Sequence, residues 1–184
     1  MNTNLIAEAE TEAEVTSFEA TPFRWTPPTR FSIPWDLREW EQGEIVRDWV
    51  VEEIEQLEWD DPEVRRYIQA YPREHPKMML RALTYAYLTG LFESDEIALA
   101  CRRDTPLRAL SGNSELTASN IARFRRKNRP LLKWTLMRVM RRAITAGLGC
   151  QPERMPVTFR RSVETSAVER LNFARHLDRG AEGE

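Results

Sequence analysis

A nearly unbroken apolar run follows Pro76 in this chain of 184 residues. The run reads KMMLRALTYAYLTG, and Lys77 and Arg81 are its only charged residues. A helix that is apolar on almost every side has to be buried on almost every side. Proline in the first turn and glycine just after the last turn are usual helix boundaries. The run therefore predicts a buried central helix at 76–89, which other elements must surround.

The apolar residues on both sides of this run recur at spacings of three and four, which is typical of helices. No convincing alternating pattern indicates a β-strand. We therefore expect an all-α fold, in which a compact multi-helix domain contains a helix-turn-helix-like element. The predicted helices cover residues 36–58, 62–70, 76–89, 95–103, 117–128, 130–147 and 163–179, with a short turn at 107–110.

The ends and faces of several helices can also be predicted. Ser94 and Thr117 precede helical runs and are the expected N-caps. Gly147 is expected to end the helix that follows Pro130. Trp40 is one of the apolar positions predicted to face inward on the first helix. The opposite face of that helix is predicted to be solvated, and its acidic residues are Glu52, Glu53, Glu55 and Glu58.

Composition divides the chain into four parts. Residues 1–20 are acidic and poor in large apolar groups, so we expect them to be disordered. Prolines and aromatic residues at 21–35 predict an extended arm that docks on the core. Residues 36–148 are the predicted helical domain, and residues 149–184 are predicted to form a linker and a tail helix.

Composition also excludes several classes of protein. Two cysteines, Cys101 and Cys150, are too few for a disulfide scaffold, and with only two histidines they indicate no metal site and no cofactor. Cys101 follows Ile97 by four residues, which favours a core position over a nucleophile. No apolar run is long enough for a membrane span, and no secretory signal is visible, so the expected compartment is the cytosol. No motif of a known catalytic site occurs, and we expect no enzyme activity.

The net charge of −2 hides two segments of opposite sign. Residues 1–75 contain 18 acidic and 7 basic residues, whereas residues 76–148 contain 14 basic and 5 acidic residues. The second segment therefore carries a net charge of +9, which is typical of a surface that binds nucleic acid. An acidic subdomain packed against a basic one would explain the same asymmetry without any external partner.

The predicted helix at 117–128 has an apolar face and a cationic face. Ile121 and Phe124 are predicted to point inward. Near the helix start, Ser119 and Asn120 have side chains that can hydrogen-bond to base edges in the major groove. Further along, arginine and lysine can neutralise phosphates, which position a helix without specifying a sequence. The candidate DNA-binding residues are Ser119, Asn120, Arg123, Arg125, Arg126, Lys127 and Arg129.

The same pattern has a second interpretation. A basic helix face is often merely solvated, or it binds another protein. The chain would then be an interaction module that has no direct role with nucleic acid. Exposure of Val168, Leu171 and Leu177 on the tail helix would indicate such a module.

Two segments in the middle of the chain point to a known family. Residues 75–113 read HPKMMLRALTYAYLTGLFESDEIALACRRDTPLRALSGN, and residues 119–143 read SNIARFRRKNRPLLKWTLMRVMRRA. Together they resemble the N-terminal domain of InsH-type insertion-sequence transposases. FSIPWDLREW at 31–40 is similar to the start of the same domain, so the resemblance covers about 31–148.

In that family, the helical domain precedes a DDE nuclease domain and recognises the ends of the mobile element. The resemblance therefore implies binding to double-stranded DNA, with terminal inverted repeats as candidate sites and the bacterial nucleoid as the location. A homo-oligomer or a full-length transposase is a further implied partner, and no membrane is involved. The alternative is a module that pairs with itself or with a transposase subunit without binding nucleic acid.

The chain departs from the family in three places. Glu93–Asp95 and Thr117–Ile121 differ from the residues usual in relatives. Residues 149–184 form a different tail, which is too short to build the carboxylate-bearing nuclease scaffold. We therefore expect DNA binding without catalysis, as in a truncated transposase or a recruited regulator.

Overall fold

A computed structural model describes residues 31–57, 62, 65, 76–149 and 154–181. These parts contain α-helices and one short 3-10 helix but no β-strand, which confirms the predicted all-α class. The predicted tail at 1–20, most of the arm at 21–35 and nearly all of the predicted helix at 62–70 lie outside the described residues. The elements are a 3-10 helix at Leu37–Glu39, α1 at Gly43–Glu55, α2 at Pro76–Leu88, α3 at Ser94–Arg103, α4 at Thr105–Leu110, α5 at Ala118–Lys127, α6 at Arg129–Leu148 and α7 at Val157–Ala181.

Helix α2 is the centre of the fold, as its apolar sequence predicts. Its buried side chains extend around the helix, and Leu80, Leu83 and Tyr87 have no exposed surface. The helix packs against α1, α3, α4, α5 and α6. Gly90 follows it with a φ of +79°, a left-handed conformation that glycine adopts without steric cost. The chain can therefore turn sharply from α2 into α3.

The first predicted helix is interrupted near its start. Asp36 caps the 3-10 helix by accepting a hydrogen bond from the Arg38 backbone at 2.9 Å, and α1 begins only at Gly43. The break changes the rotational register, so the prediction that Trp40 faces inward is wrong, and 39% of this residue is exposed. Val46 and Val50 on α1 are buried as their spacing predicts.

The acidic face of α1 is covered by basic side chains from two other helices. Glu53 is buried and pairs with Arg138 of α6, and Arg142 lies 3.7 Å from the same carboxylate. Glu52 contacts Arg142 at 2.5 Å, and Glu55 pairs with Lys77 at 3.1 Å and with Arg81 of α2. The prediction of a solvated face is therefore wrong for Glu53. The reason is that its partners lie far away in sequence, where local periodicity carries no information.

Helix α7 is part of the core and not a separate tail. It begins at Val157, within the stretch predicted to be a linker, and it buries Phe159, Val163, Ala167, Leu171 and Ala174. The preceding helix α6 ends at Gly149, which has a φ of +59°, and not at the predicted Gly147.

A buried arginine fixes α7 against the front of the molecule. Arg170 donates a hydrogen bond to the backbone oxygen of Tyr87 at 3.0 Å and another to that of Pro34. Burial lowers the pKa of Arg170 to about 10. The ring of Phe31 lies 4.2 Å from that of Phe159, so the described end of the predicted arm contacts α7.

The contrast between Glu53 and Glu52 can be tested by mutation. Glu53→Ala removes the buried carboxylate that Arg138 and Arg142 share. We therefore expect the free energy of unfolding to fall by about 2–4 kcal/mol. Glu52→Ala removes an exposed ion pair and should cost less than about 1 kcal/mol. Urea denaturation followed by circular dichroism measures both values. Equal losses in the two variants would contradict a buried role for Glu53.

Candidate nucleic-acid interface

Helix α5 separates its residues into two faces. Ile121 and Phe124 are fully buried, which confirms their predicted inward orientation. Five of the seven candidate residues fall on the opposite face at helical spacings of three and four. Ser119, Arg126 and Lys127 are exposed, and Asn120 and Arg123 are half-buried. This outward face of α5 is called the α5 basic face below.

The start of α5 is held by a local hydrogen-bond network. The Thr117 hydroxyl accepts a hydrogen bond from the Asn120 backbone at 3.2 Å, which confirms the predicted N-cap. The same hydroxyl donates to Asn120 Oδ1 at 2.9 Å, and Arg123 Nη2 donates to that oxygen at 3.4 Å. Bidentate recognition of adenine by asparagine uses both its amide oxygen and its amide nitrogen. Asn120 would therefore have to exchange at least one of these internal bonds for a base.

Arg125 does not lie on the α5 basic face. Only 3% of it is exposed, and its guanidinium forms an ion pair with Asp178 of α7 at 2.9 Å. It also donates to the backbone oxygen of Phe92 at 2.8 Å and to that of Ala174, and it lies 5.4 Å from the centre of the Tyr87 ring. The prediction that Arg125 neutralises phosphates is wrong, because this position turns toward α7.

Ser94 belongs to the same buried network. It was expected to cap α3, but the N-cap position is Glu93, whose side chain makes no capping bond. The Ser94 hydroxyl instead donates to Asp178 Oδ1 at 2.8 Å and accepts from Arg125 at 3.2 Å. Asp178 thus joins the start of α3 to α5. Sequence reasoning missed this residue, since no local pattern connects it with Arg125.

Arg129 is also directed toward α7. It donates to the backbone oxygen of Leu171 at 3.1 Å and to Asn172 Oδ1 at 2.7 Å. Its guanidinium would have to leave these partners before it could contact a phosphate. Ser119, Asn120, Arg123, Arg126 and Lys127 therefore remain as the candidate DNA-binding residues of this structure.

The segment from α3 to α5 differs from a simple helix-turn-helix. Seven residues, 111–117, connect α4 and α5, whereas the turn of that motif has about three or four. Gly112 and Asn113 have positive φ angles of 63° and 57°. A Cβ atom on Gly112 would lie 2.5 Å from Met78 Cε, so the loop approaches α2 closely. The helix order agrees with the prediction, but a helix-turn-helix is not confirmed.

The described residues offer no other arrangement with obvious chemistry. No group of three or more histidine, cysteine, aspartate or glutamate side chains in this part of the chain could hold a metal ion. Cys101 is buried, as predicted for a core residue, and burial raises the pKa of its thiol to about 11. Within the described ranges, no helix has both the length and the apolarity that crossing a bilayer requires.

Comparison with known families supports part of the sequence-based interpretation. A family model described as Transposase domain (DUF772) matches residues 46–127, from within α1 to the end of α5. This part of the chain is therefore similar to that transposase domain. The match ends before α6 and α7, and it covers less than half of the chain. No curated protein and no solved structure matches the chain.

Neighbouring arginines on α5 provide a matched test of this geometry. Arg125→Ala leaves the carboxylate of Asp178 buried without its ion-pair partner, so we expect a loss of about 3–5 kcal/mol of unfolding free energy. Arg126→Ala removes a surface side chain and should change the unfolding free energy by less than about 0.5 kcal/mol. Chemical denaturation of both variants checks the difference. If Arg125→Ala does not lower the free energy of unfolding, the buried position of Arg125 is contradicted.

Proposed function

We propose that the transposase-related domain of this chain binds double-stranded DNA by placing the α5 basic face in the major groove. The observation that carries this proposal is the one-sided arrangement of α5 inside the family-matched region. Its polar face is continuous, and the helix contains no acidic residue between Ala118 and Lys127. An α-helix of this kind fits a groove that is about 12 Å wide.

The charges elsewhere support the choice of α5. Arg138 and Arg142 of α6 pair with glutamates of α1, and Lys133 pairs with Glu164 at 2.7 Å. These cations are neutralised within the chain and contribute little to an external positive field. The α5 basic face combines cations with short hydrogen-bonding side chains at one helix end.

The residues of this face divide into two roles. Ser119 and Asn120 lie in the first turn of α5, and their short polar side chains can hydrogen-bond to base edges. Arg126 and Lys127 lie in the last turn and are suited to phosphates, which supply affinity that does not depend on sequence. Arg123 lies between them and holds Asn120 by the hydrogen bond described above.

The finer biological role is part of the same proposal. The resemblance to InsH-type transposases favours the ends of a mobile element as the target, with terminal inverted repeats as candidate sequences. The proposal assigns recognition of DNA to this helical domain and assigns no chemical step to it. A truncated transposase and a recruited regulator would both use the domain in this way.

Exposure of Val168, Leu171 and Leu177 would have indicated an interaction module, but these residues are buried or partly buried. Leu171 has no exposed surface, and Val168 and Leu177 are partly buried. Helix α7 therefore uses this apolar side within its own chain. Pairing with a second copy or with a transposase subunit remains an outcome that the following experiment can detect.

Fluorescence anisotropy with a mixed-sequence DNA duplex of about 30 base pairs tests the proposal. We expect binding that weakens between about 50 and 200 mM salt, with log K falling by about 0.9 per neutralised phosphate for each unit of log salt concentration. The variant Arg126→Ala/Lys127→Ala should bind all sequences more weakly and reduce that slope by about 2. Arg161→Ala on α7 is the control and should leave the slope unchanged. No binding by the unmodified chain, or binding that is independent of salt, would contradict the proposal.

Asn120 separates sequence recognition from phosphate binding. Asn120→Ala should leave the salt slope unchanged while reducing the preference for an in vitro selected sequence over the mixed duplex by about tenfold, which corresponds to the lower part of the 1–3 kcal/mol for a base contact. Competition titrations with the two duplexes measure this preference. Light scattering of the same samples reports whether the protein is a monomer. An unchanged preference would mean that Asn120 does not contact a base.

A further inference from the structure

We infer that Arg102, Arg103 and Arg108 form a second DNA-contacting surface that binds the phosphate backbone beside the groove occupied by α5. These residues are called the α3–α4 arginines below. The inference rests on the proposed function and adds to it a separate part of the interface. It concerns residues outside the candidate set derived from the sequence.

The α3–α4 arginines lie around one tight junction between two helices. Arg102 and Arg103 are the last two residues of α3, and Arg108 lies in the six-residue helix α4 that follows. All three side chains are exposed. Only Asp104 separates α3 from α4, so the three arginines lie within seven consecutive residues.

The α3–α4 arginines have no acidic partner among the described residues, in contrast to basic residues such as Arg138 and Arg142. Within the described residues, no carboxylate lies within ion-pairing distance of any of the three. Asp104 is the nearest acid in sequence, and it accepts a hydrogen bond from the Leu107 backbone at 3.0 Å as the cap of α4. Lys77 and Arg81, in contrast, both pair with Glu55. Several exposed and unneutralised cations at one place attract an anionic partner.

The packing of α3 on α5 places this surface beside the proposed groove contact. The two helices are in direct contact. Arg125, near the end of α5, donates to Phe92 and Ser94 at the start of α3. The start of α3 is therefore held at the end of α5. An antiparallel packing of these two ten-residue helices would bring the arginines at the end of α3 toward Ser119 and Asn120 at the start of α5.

The dimensions agree with a duplex. A helix of ten residues, such as α3 or α5, is about 15 Å long, and the major groove is about 12 Å wide. Packed helices lie about 8–10 Å apart axis to axis, so long side chains at the end of α3 can reach a phosphate strand that borders the groove occupied by α5. Guanidinium groups form bidentate hydrogen bonds with phosphate oxygens, so arginine is well suited to this contact. The contact adds affinity and fixes orientation but does not select a sequence.

The experiment uses the full chain and the same mixed-sequence duplex. The variant Arg102→Ala/Arg103→Ala/Arg108→Ala should bind about five- to tenfold more weakly per arginine at about 0.1 M salt, and its salt slope should fall by about 2 to 3. Replacing all three with lysine should keep most of the slope, because the charges remain. Arg161→Ala is again the control, since Arg161 lies 13 residues, or about 20 Å along α7, from the Ala174 contact with Arg125.

The outcomes separate this inference from the proposed function. If the unmodified chain binds with a steep salt slope and the triple alanine variant has the same slope, the second surface is refuted and the α5 proposal stands. If the unmodified chain does not bind, both fail. A purely structural role for these arginines predicts a lower melting temperature with an unchanged slope, which also refutes the inference. Should the triple variant not fold, Arg102→Gln/Arg103→Gln gives the same readout, with an expected decrease of about 2 in slope.

Discussion

The buried ion pair between Arg125 and Asp178 determines how α5 is presented to solvent. Its guanidinium is held by α7, by the start of α3 and by the ring of Tyr87 from α2. A charge in so closed a site is tolerated only when it is paired and hydrogen-bonded. Rotation of α5 about its axis would break these bonds and leave Asp178 without its partner. These contacts on the buried side of α5 therefore fix the orientation of its opposite face, which carries Arg126 and Lys127.

This arrangement makes α7 part of the unit that presents the basic helix. The family match ends at residue 127, whereas the groups that hold Arg125 and Arg129 come from residues 171–178. The matched region alone would therefore leave Arg125 without its ion-pair partner. We interpret α6 and α7 as a brace that supports the region similar to a transposase domain. Arg170 attaches the same brace to residues 34 and 87, so one helix connects the front segment, the central helix and α5.

Sequence analysis predicted the features that depend on neighbouring residues. The central helix, the inward Ile121 and Phe124 and the Thr117 cap follow from periodicity and local hydrogen bonding, and the structure confirms them. The errors at Arg125 and Glu53 have a different origin. Arg125 and Asp178 are 53 positions apart, and Arg138 and Glu53 are 85 apart, so no local pattern identifies either pair. For the candidate site, the outward face of α5 could be predicted from the sequence. Which cations lie on that face depends on packing between helices that are far apart in sequence.

The same long-range pairing changes the meaning of the net charge of residues 76–148. The value of +9 would suggest a broadly positive surface. However, Lys77, Arg81, Arg138 and Arg142 are neutralised by glutamates of α1, which belongs to the acidic first segment. The interpretation of an acidic part packed against a basic part is thus correct for α1, α2 and α6. It does not extend to the α3–α4 arginines, which have no acidic partner among the described residues.

Ion pairs within the chain therefore limit which cations are left to bind an external anion. Each glutamate of α1 that pairs with α2 or α6 removes a cation from competition for an anionic partner. The α3–α4 arginines are exposed and have no acidic partner among the described residues, and α3 packs against α5. Exposed cations of this kind attract a polyanion to the surface that carries them. Under the proposed function, the acidic first helix would contribute to DNA recognition without contacting DNA.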